Sequence, residues 1–220
     1  MLFSPSMAAS VQLVVGLGNP GADYVMTRHN VGWWFVDALA RAHGGTFSSE
    51  RKFSGDVCRV EIGGHDVRLL KPTTFMNRSG QSVKALSAYL KVPPEAILVA
   101  HDDLDLPFGT VRLKKGGGSG GHNGLKDITA HIGENYARAR FGIAHPNGSR
   151  DVIDYVLERA GREEETAIME AIGATVELMP QLLDGQFEKA TQILHSRGVI
   201  PRNKRNKPED GAAKDAPSGK

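Results

Sequence analysis

The sequence predicts a single-domain α/β fold, a three-layer sandwich in which a mixed, mostly parallel twisted sheet is flanked by helices. Two observations lead there. Short apolar, β-branched runs alternate with segments of helical period from about residue 11 to 197. Between two of the strand-like runs lies Gly63-Gly64, which adds one antiparallel hairpin to an otherwise largely parallel arrangement. The length of 220 residues, 40% hydrophobic, suits one domain with a sizeable core.

In chain order, Val11–Val15 is apolar and β-branched and stops at Gly16, which reads as a buried strand. From Val31 to His43, a helical spacing puts Val31, Trp34, Phe35, Ala38, Leu39 and Ala42 on one face, with Asn30 as its cap. The hairpin strands are Val57–Ile62 and Asp66–Leu70. After an irregular stretch beyond Pro72, a helix runs from about Ser79 to Tyr89. Pro93-Pro94 closes that unit, and Ala96–Ala100 is another buried strand. Thr110–Lys114 is a strand leading into the glycine-rich run 116–123. A helix follows from Gly124 to about Ile132, then a strand over Arg138–Ala144. Beyond Asp151 the pattern is helical, chiefly over Arg162–Pro180 and Gln186–Ser196. Residues 1–10 read as a disordered lead-in, with Met7 an alternative start, and 198–220 as a basic disordered tail around the 11–197 domain.

Composition narrows the function classes. Cys58, the single cysteine, excludes an intramolecular disulfide, fits a reducing cytoplasm, and sits in an alternating apolar run as a core thiol. No apolar run is long enough to cross a membrane. The net charge of +2 is uneven: 197–220 carries seven basic against three acidic residues, leaving 20 basic and 22 acidic in the body. A near-neutral body excludes broad coating of nucleic acid and confines any contact to a local site. A monomer without an obligate protein partner is expected.

Three motifs point to other chemistries. Gly16-Leu17-Gly18-Asn19-Pro20-Gly21 matches the dinucleotide pattern, but that use needs a helix starting within the glycines, and here it starts near Asn30. Gly117-Gly118-Ser119-Gly120-Gly121 matches a nucleophile elbow, a match that the glycine density of the run makes almost automatic. His101-Asp102-Asp103 has no further His or Cys spacing to complete a ligand set, so neither a metal nor another cofactor is expected.

Polar residues cluster just past several strand ends: Asn19, Met76-Asn77, Asp102 and His145. Open α/β sheets place their sites there. With no convincing serine or cysteine nucleophile, these residues suit an activated water, a histidine base, a carboxylate behind it, and neutral amides to orient carbonyls. Each asparagine taken alone suits a loop-stabilising Asx turn better than a catalytic role. Chemistry by itself does not select among the eight histidines.

Five strings carry a resemblance. Val15–Tyr24, Thr27–Gly32, Lys71–Asn77, His101–Asp105 and Gly120–Ile128 resemble, in order and spacing, the bacterial peptidyl-tRNA hydrolase family, over about Val11 to Ser196. The resemblance implies hydrolysis of the ester between a peptide and the tRNA 3′ end. It implies that His29 is the catalytic histidine, Asp102 its supporting aspartate, and Asn19 the residue that distinguishes an acylated from a free aminoacyl group. It further implies that Tyr24, Phe75, Met76, Asn77 and Asn123 line the site for the 3′ end and peptide. Lys114 and Arg140 resemble residues that hold a tRNA phosphate, and the glycine-rich stretch resembles a mobile lid. Trp33 and Trp34 depart from the pattern as packing variation. A catalytically silent RNA-binding relative on the same fold is the alternative.

Overall fold

A computed structural model describes residues 10–146, 148 and 151–196. Its seven strands are β1 (Leu13–Gly16), β2 (Ser48–Glu50), β3 (Gly55–Ile62), β4 (His65–Pro72), β5 (Ile97–Asp103), β6 (Val111–Lys115) and β7 (Ala137–Gly142). They form one sheet in the order β2-β3-β4-β1-β5-β7-β6. The central pairings β4–β1, β1–β5 and β5–β7 are parallel. The pairings β2–β3, β3–β4 and β6–β7 are antiparallel, so two antiparallel contacts join the expected hairpin. At the hairpin tip Gly63 and Gly64 both have positive φ, which a two-residue type I′ turn requires.

Strand alternation sorts the core into two layers. Val14, Leu98, Ala100, Cys58 and Val60 face one side, against α1 (Val31–Ala42), α5 (Arg162–Leu183) and α6 (Phe187–Ser196). Leu13, Val15, Ile97 and Val99 face the other, against α2 (Ser79–Leu90) and α3 (Asn123–Ile132). A short helix, α4 (Val152–Val156), leads into α5. The three-layer sandwich is therefore observed, with Cys58 a buried free thiol within it.

Several elements differ from expectation for physical reasons. Ala42 is exposed, and α1 buries Val36 and Ala40 instead. Asn30 occupies the N-cap position of α1 without a side-chain cap bond, because its amide serves another residue. Helix α5 continues past Pro180 to Leu183. Met179, Leu182 and Leu183 are buried there, and that burial outweighs the proline penalty of about 3 kcal/mol. Ser10, assigned to the lead-in, donates from its hydroxyl to the Leu183 carbonyl. The remainder of the lead-in and the tail lie outside the described residues.

The glycines of the first loop serve packing. A Cβ at Gly16 would meet the Gly32 carbonyl oxygen at 2.2 Å, and one at Gly32 would meet the Ala100 oxygen at 2.4 Å. The end of β1 is thus pressed against the start of α1 and against β5. That close approach brings the residues around Asn19, His29 and Asp102 together.

Candidate active site

The carboxyl ends of β1, β4, β5 and β7 open into a cleft of about 760 Å³. All ten residues singled out from the sequence line it, from Asn19, Tyr24 and His29 through Phe75, Met76, Asn77 and Asp102 to Lys114, Asn123 and Arg140.

His29 is the middle residue of a one-turn 3-10 helix, Arg28–Asn30, and both neighbours are anchored. The buried Arg28 guanidinium donates to the carbonyls of Tyr155 (3.1 Å) and Glu158 (3.3 Å) and to Glu164 Oε2 (2.9 Å). It also lies 4.2 Å over the Tyr155 ring. On the other side Asn30 is fully buried. Its Oδ1 accepts the Asn19 amide N–H at 2.8 Å, and its Nδ2 donates to the Asn19 carbonyl at 3.0 Å. Asn19 Oδ1 in turn accepts the Met76 amide at 2.8 Å. With that oxygen committed, Asn19 offers the cleft an N–H donor.

His29 Nδ1 lies 2.9 and 3.0 Å from the two carboxylate oxygens of Asp102. A carboxylate only accepts, so Nδ1 carries the proton and Nε2 is left with its lone pair. Burial pushes the His29 pKa down, but the charge and hydrogen bond of Asp102 outweigh it and hold the pKa above 6.5. Burial raises the Asp102 pKa, and the two imidazoles against it outweigh that, holding it well below the ordinary carboxylate range. A histidine paired with a buried carboxylate is an arrangement suited to general-base catalysis.

The rim is more open. Tyr24 and Phe75 meet edge to face at 6.5 Å, with Phe75 57% exposed. Asn77, Asn123 and Lys114 are exposed. Arg140 departs from a simple free cation: its Nε donates to Asp103 at 2.7 Å, leaving the other guanidinium N–H groups for a ligand. Arg138, absent from the sequence assignment, is buried and donates to the carbonyls of Gly117 and Gly118, bracing the glycine-rich loop.

Sequence reasoning also missed His122, although it stands in the quoted string before Asn123. His122 Nε2 lies 3.0 Å from Asp102 Oδ1. His29, Asp102 and His122 offer three ligand atoms within 4.8 Å of one another, a spacing that invites a metal. Yet His122 Nδ1 already accepts the amides of Gly124 and Leu125 at the start of α3. Ligation through Nε2 would then require an imidazolate, so the donor set fits proton sharing better than metal binding. Neither loop motif supports its alternative chemistry: α1 starts well after the first glycines, and among the described residues no imidazole bonds the Ser119 hydroxyl.

An α/β fold with a histidine–aspartate pair at its strand ends fits the class of enzymes that work by general-base catalysis, hydrolases among them. The family model described as Peptidyl-tRNA hydrolase matches residues 13–204, and the chain belongs to that family. It is 50% identical over 192 residues to the peptidyl-tRNA hydrolase of Neisseria meningitidis serogroup A, covering 87% of this chain and 100% of that protein. To the one from Halorhodospira halophila it is 50% identical, over 84% of this chain and 96% of the relative. The crystal structure of peptidyl-tRNA hydrolase from Acinetobacter baumannii superposes with a TM-score of 0.83 at 47% identity, covering 88% and 98% of the two chains.

Proposed function

We propose that this chain hydrolyses the ester bond joining a peptide, or an N-blocked aminoacyl group, to the 3′ end of tRNA, and so recycles tRNA from stalled translation. The observation that carries the reading is the His29–Asp102 pair, 2.9 Å apart beside the cleft, which in the neutral ring leaves the Nε2 lone pair free. His29 Nε2 takes a proton from a water molecule, whose oxygen attacks the ester carbonyl carbon. Asp102 stabilises the imidazolium that forms, and the same imidazolium returns the proton to the ribose oxygen as the C–O bond breaks. The Asn19 Nδ2 donates to a substrate carbonyl; a free α-amine, charged and without that acylated amide, is left unmatched. Tyr24 and Phe75 pack against the single-stranded 3′ end, with Met76, Asn77 and Asn123 completing the wall. Lys114 and the unengaged N–H groups of Arg140 take a phosphate.

The intact base–carboxylate geometry favours this reading over a catalytically silent relative. Among the described residues no helix is long and apolar enough to cross a membrane; the proposed role in translation fits a cytoplasmic setting.

The test is hydrolysis of N-acetyl-aminoacyl-tRNA beside free aminoacyl-tRNA. Wild type releases the N-acetyl amino acid and leaves the free aminoacyl form largely intact, while His29→Ala lowers kcat by roughly 10²–10⁴-fold. Full turnover in His29→Ala overturns the mechanism. Because the base must be neutral, kcat/KM falls as pH drops through the His29 pKa, so the acid limb of the profile lies above 6.5.

A further inference from the structure

We propose that His122 is a positioning residue: its Nε2–H holds the Asp102 carboxylate and thereby tunes the basicity of His29. The inference rests on the general-base reading of His29 above.

Asp102 Oδ1 faces two imidazoles at once, His29 Nδ1 at 2.9 Å and His122 Nε2 at 3.0 Å. The carboxylate is only 4% exposed, so these two rings replace solvent as its partners. The rings lie 4.9 Å apart, tilted by 41°.

The helix that follows decides which nitrogen of His122 carries the proton. Helix α3 begins with unpaired amides, and His122 Nδ1 accepts those of Gly124 at 3.1 Å and Leu125 at 3.4 Å. A nitrogen that accepts carries no proton, so in the neutral ring the proton lies on Nε2 and is donated to Asp102. The backbone of His122 is held as well, its N–H donating to Ser119 O and its carbonyl accepting from Lys126 N, both at 3.0 Å.

Of the other charged groups in the cleft, Arg138 is held on the Gly117 and Gly118 carbonyls, His145 on Asp105, and Lys114 is exposed at the rim. Behind the pair, His101 donates from Nδ1 to the Asp102 carbonyl at 2.7 Å and lies 5.1 Å from His122. Burial drives its pKa down to about 3, so it stays neutral. Arg28, next to His29, is turned away onto Tyr155 and Glu164, and Asp103 is paired with Arg140. From α4 the cleft receives the apolar Val152, Ile153 and Val156.

A second donor on the carboxylate shares its negative charge and weakens its hold on the His29 proton. Without that donor, Asp102 serves His29 alone and the His29 pKa rises. The carboxylate also loses one of the two bonds that set its orientation. The N-cap of α3, immediately after the glycine-rich run, is in this way connected to the base.

Two substitutions separate this role from simple capping. His122→Asn keeps a strong N-cap acceptor but is too short to reach Asp102. His122→Gln can reach Asp102 with an amide N–H and caps poorly. We measure kcat and KM against pH with N-acetyl-aminoacyl-tRNA, together with Tm, for the full-length wild type and both variants. For His122→Asn the acid limb moves up by about 0.5–1 pH unit. Its kcat at neutral pH falls about 10-fold, while KM stays within about 2-fold and Tm near wild type. For His122→Gln the limb stays within about 0.3 unit and Tm falls. A wild-type limb and kcat in His122→Asn overturns the proposal. So does a loss of activity that follows Tm in both variants with the limb unmoved. An imidazole NMR titration of His29 in wild type and His122→Asn reads the same shift without turnover. If wild type lacks hydrolase activity yet that titration shifts, the proposed reaction fails and the coupling stands. If the titration does not shift, the coupling fails.

Discussion

On the β1–β5 side of the cleft, His29 and Asn19 are hydrogen-bonded to buried neighbours, and the buried Asp102 to two partly buried imidazoles. Across the cleft, Phe75, Asn77, Asn123 and Lys114 stand exposed on loops and element ends. The first side is over-determined. Asn19 is gripped through its backbone by Asn30 and through its side chain by Met76, and the Asp102 carboxylate by two imidazoles. The second side leaves its side chains rotatable. On the proposed function, the difference matches how the two tasks would divide: bond cleavage demands positions fixed to a fraction of an ångström, whereas recognition of a flexible peptide and a single-stranded end tolerates adjustment.

Substitutions on the two sides should therefore fail in different ways. The largest effect is expected from Asp102→Asn, which offers Nδ1 of His29 an amide in place of a carboxylate. It lowers kcat on the order of 10²–10⁴-fold with KM little changed, read from steady-state hydrolysis of N-acetyl-aminoacyl-tRNA. Next, Asn30→Ala removes two bonds to Asn19 and leaves its backbone N–H and carbonyl without those partners. Urea unfolding should show a loss of about 1–3 kcal/mol, and kcat should fall about 10-fold although Asn30 is not among the cleft residues. The smallest change belongs to the open side. Lys114→Ala raises KM several-fold, leaves kcat near wild type, and reduces the salt slope of tRNA binding by about 1. A kcat effect from Lys114→Ala exceeding that of Asn30→Ala would erase the contrast between the two sides.

Much of this architecture was legible in the chain because it depends on local pattern. The β-branched runs at Val11–Val15 and Ala96–Ala100, the Gly63-Gly64 turn and the helical stripe after Asn30 each carry their own signal. Strand β2 carried none: Ser48-Ser49-Glu50 is short and polar, and pairs because β3 offers it an edge. The antiparallel pairing of β6 with β7 was equally hidden, since strand direction is settled by how the intervening glycine loop and α3 return the chain. Asn30 shows the ambiguity within one residue. Its type and place announced a cap, but the fold brought the Asn19 backbone within reach, and two buried hydrogen bonds replaced the cap bond.

By itself, then, the sequence determined the α/β class, most elements, and the strings whose resemblance singled out His29 and Asp102. Only the tertiary structure decided that His29 meets Asp102 across 73 residues, that His122 meets the same oxygen, and which nitrogen of each ring holds its proton. The physical reason is one of range. Propensity and periodicity act between residues a few positions apart, whereas these bonds form where Gly16 and Gly32 let β1, α1 and β5 close to backbone contact.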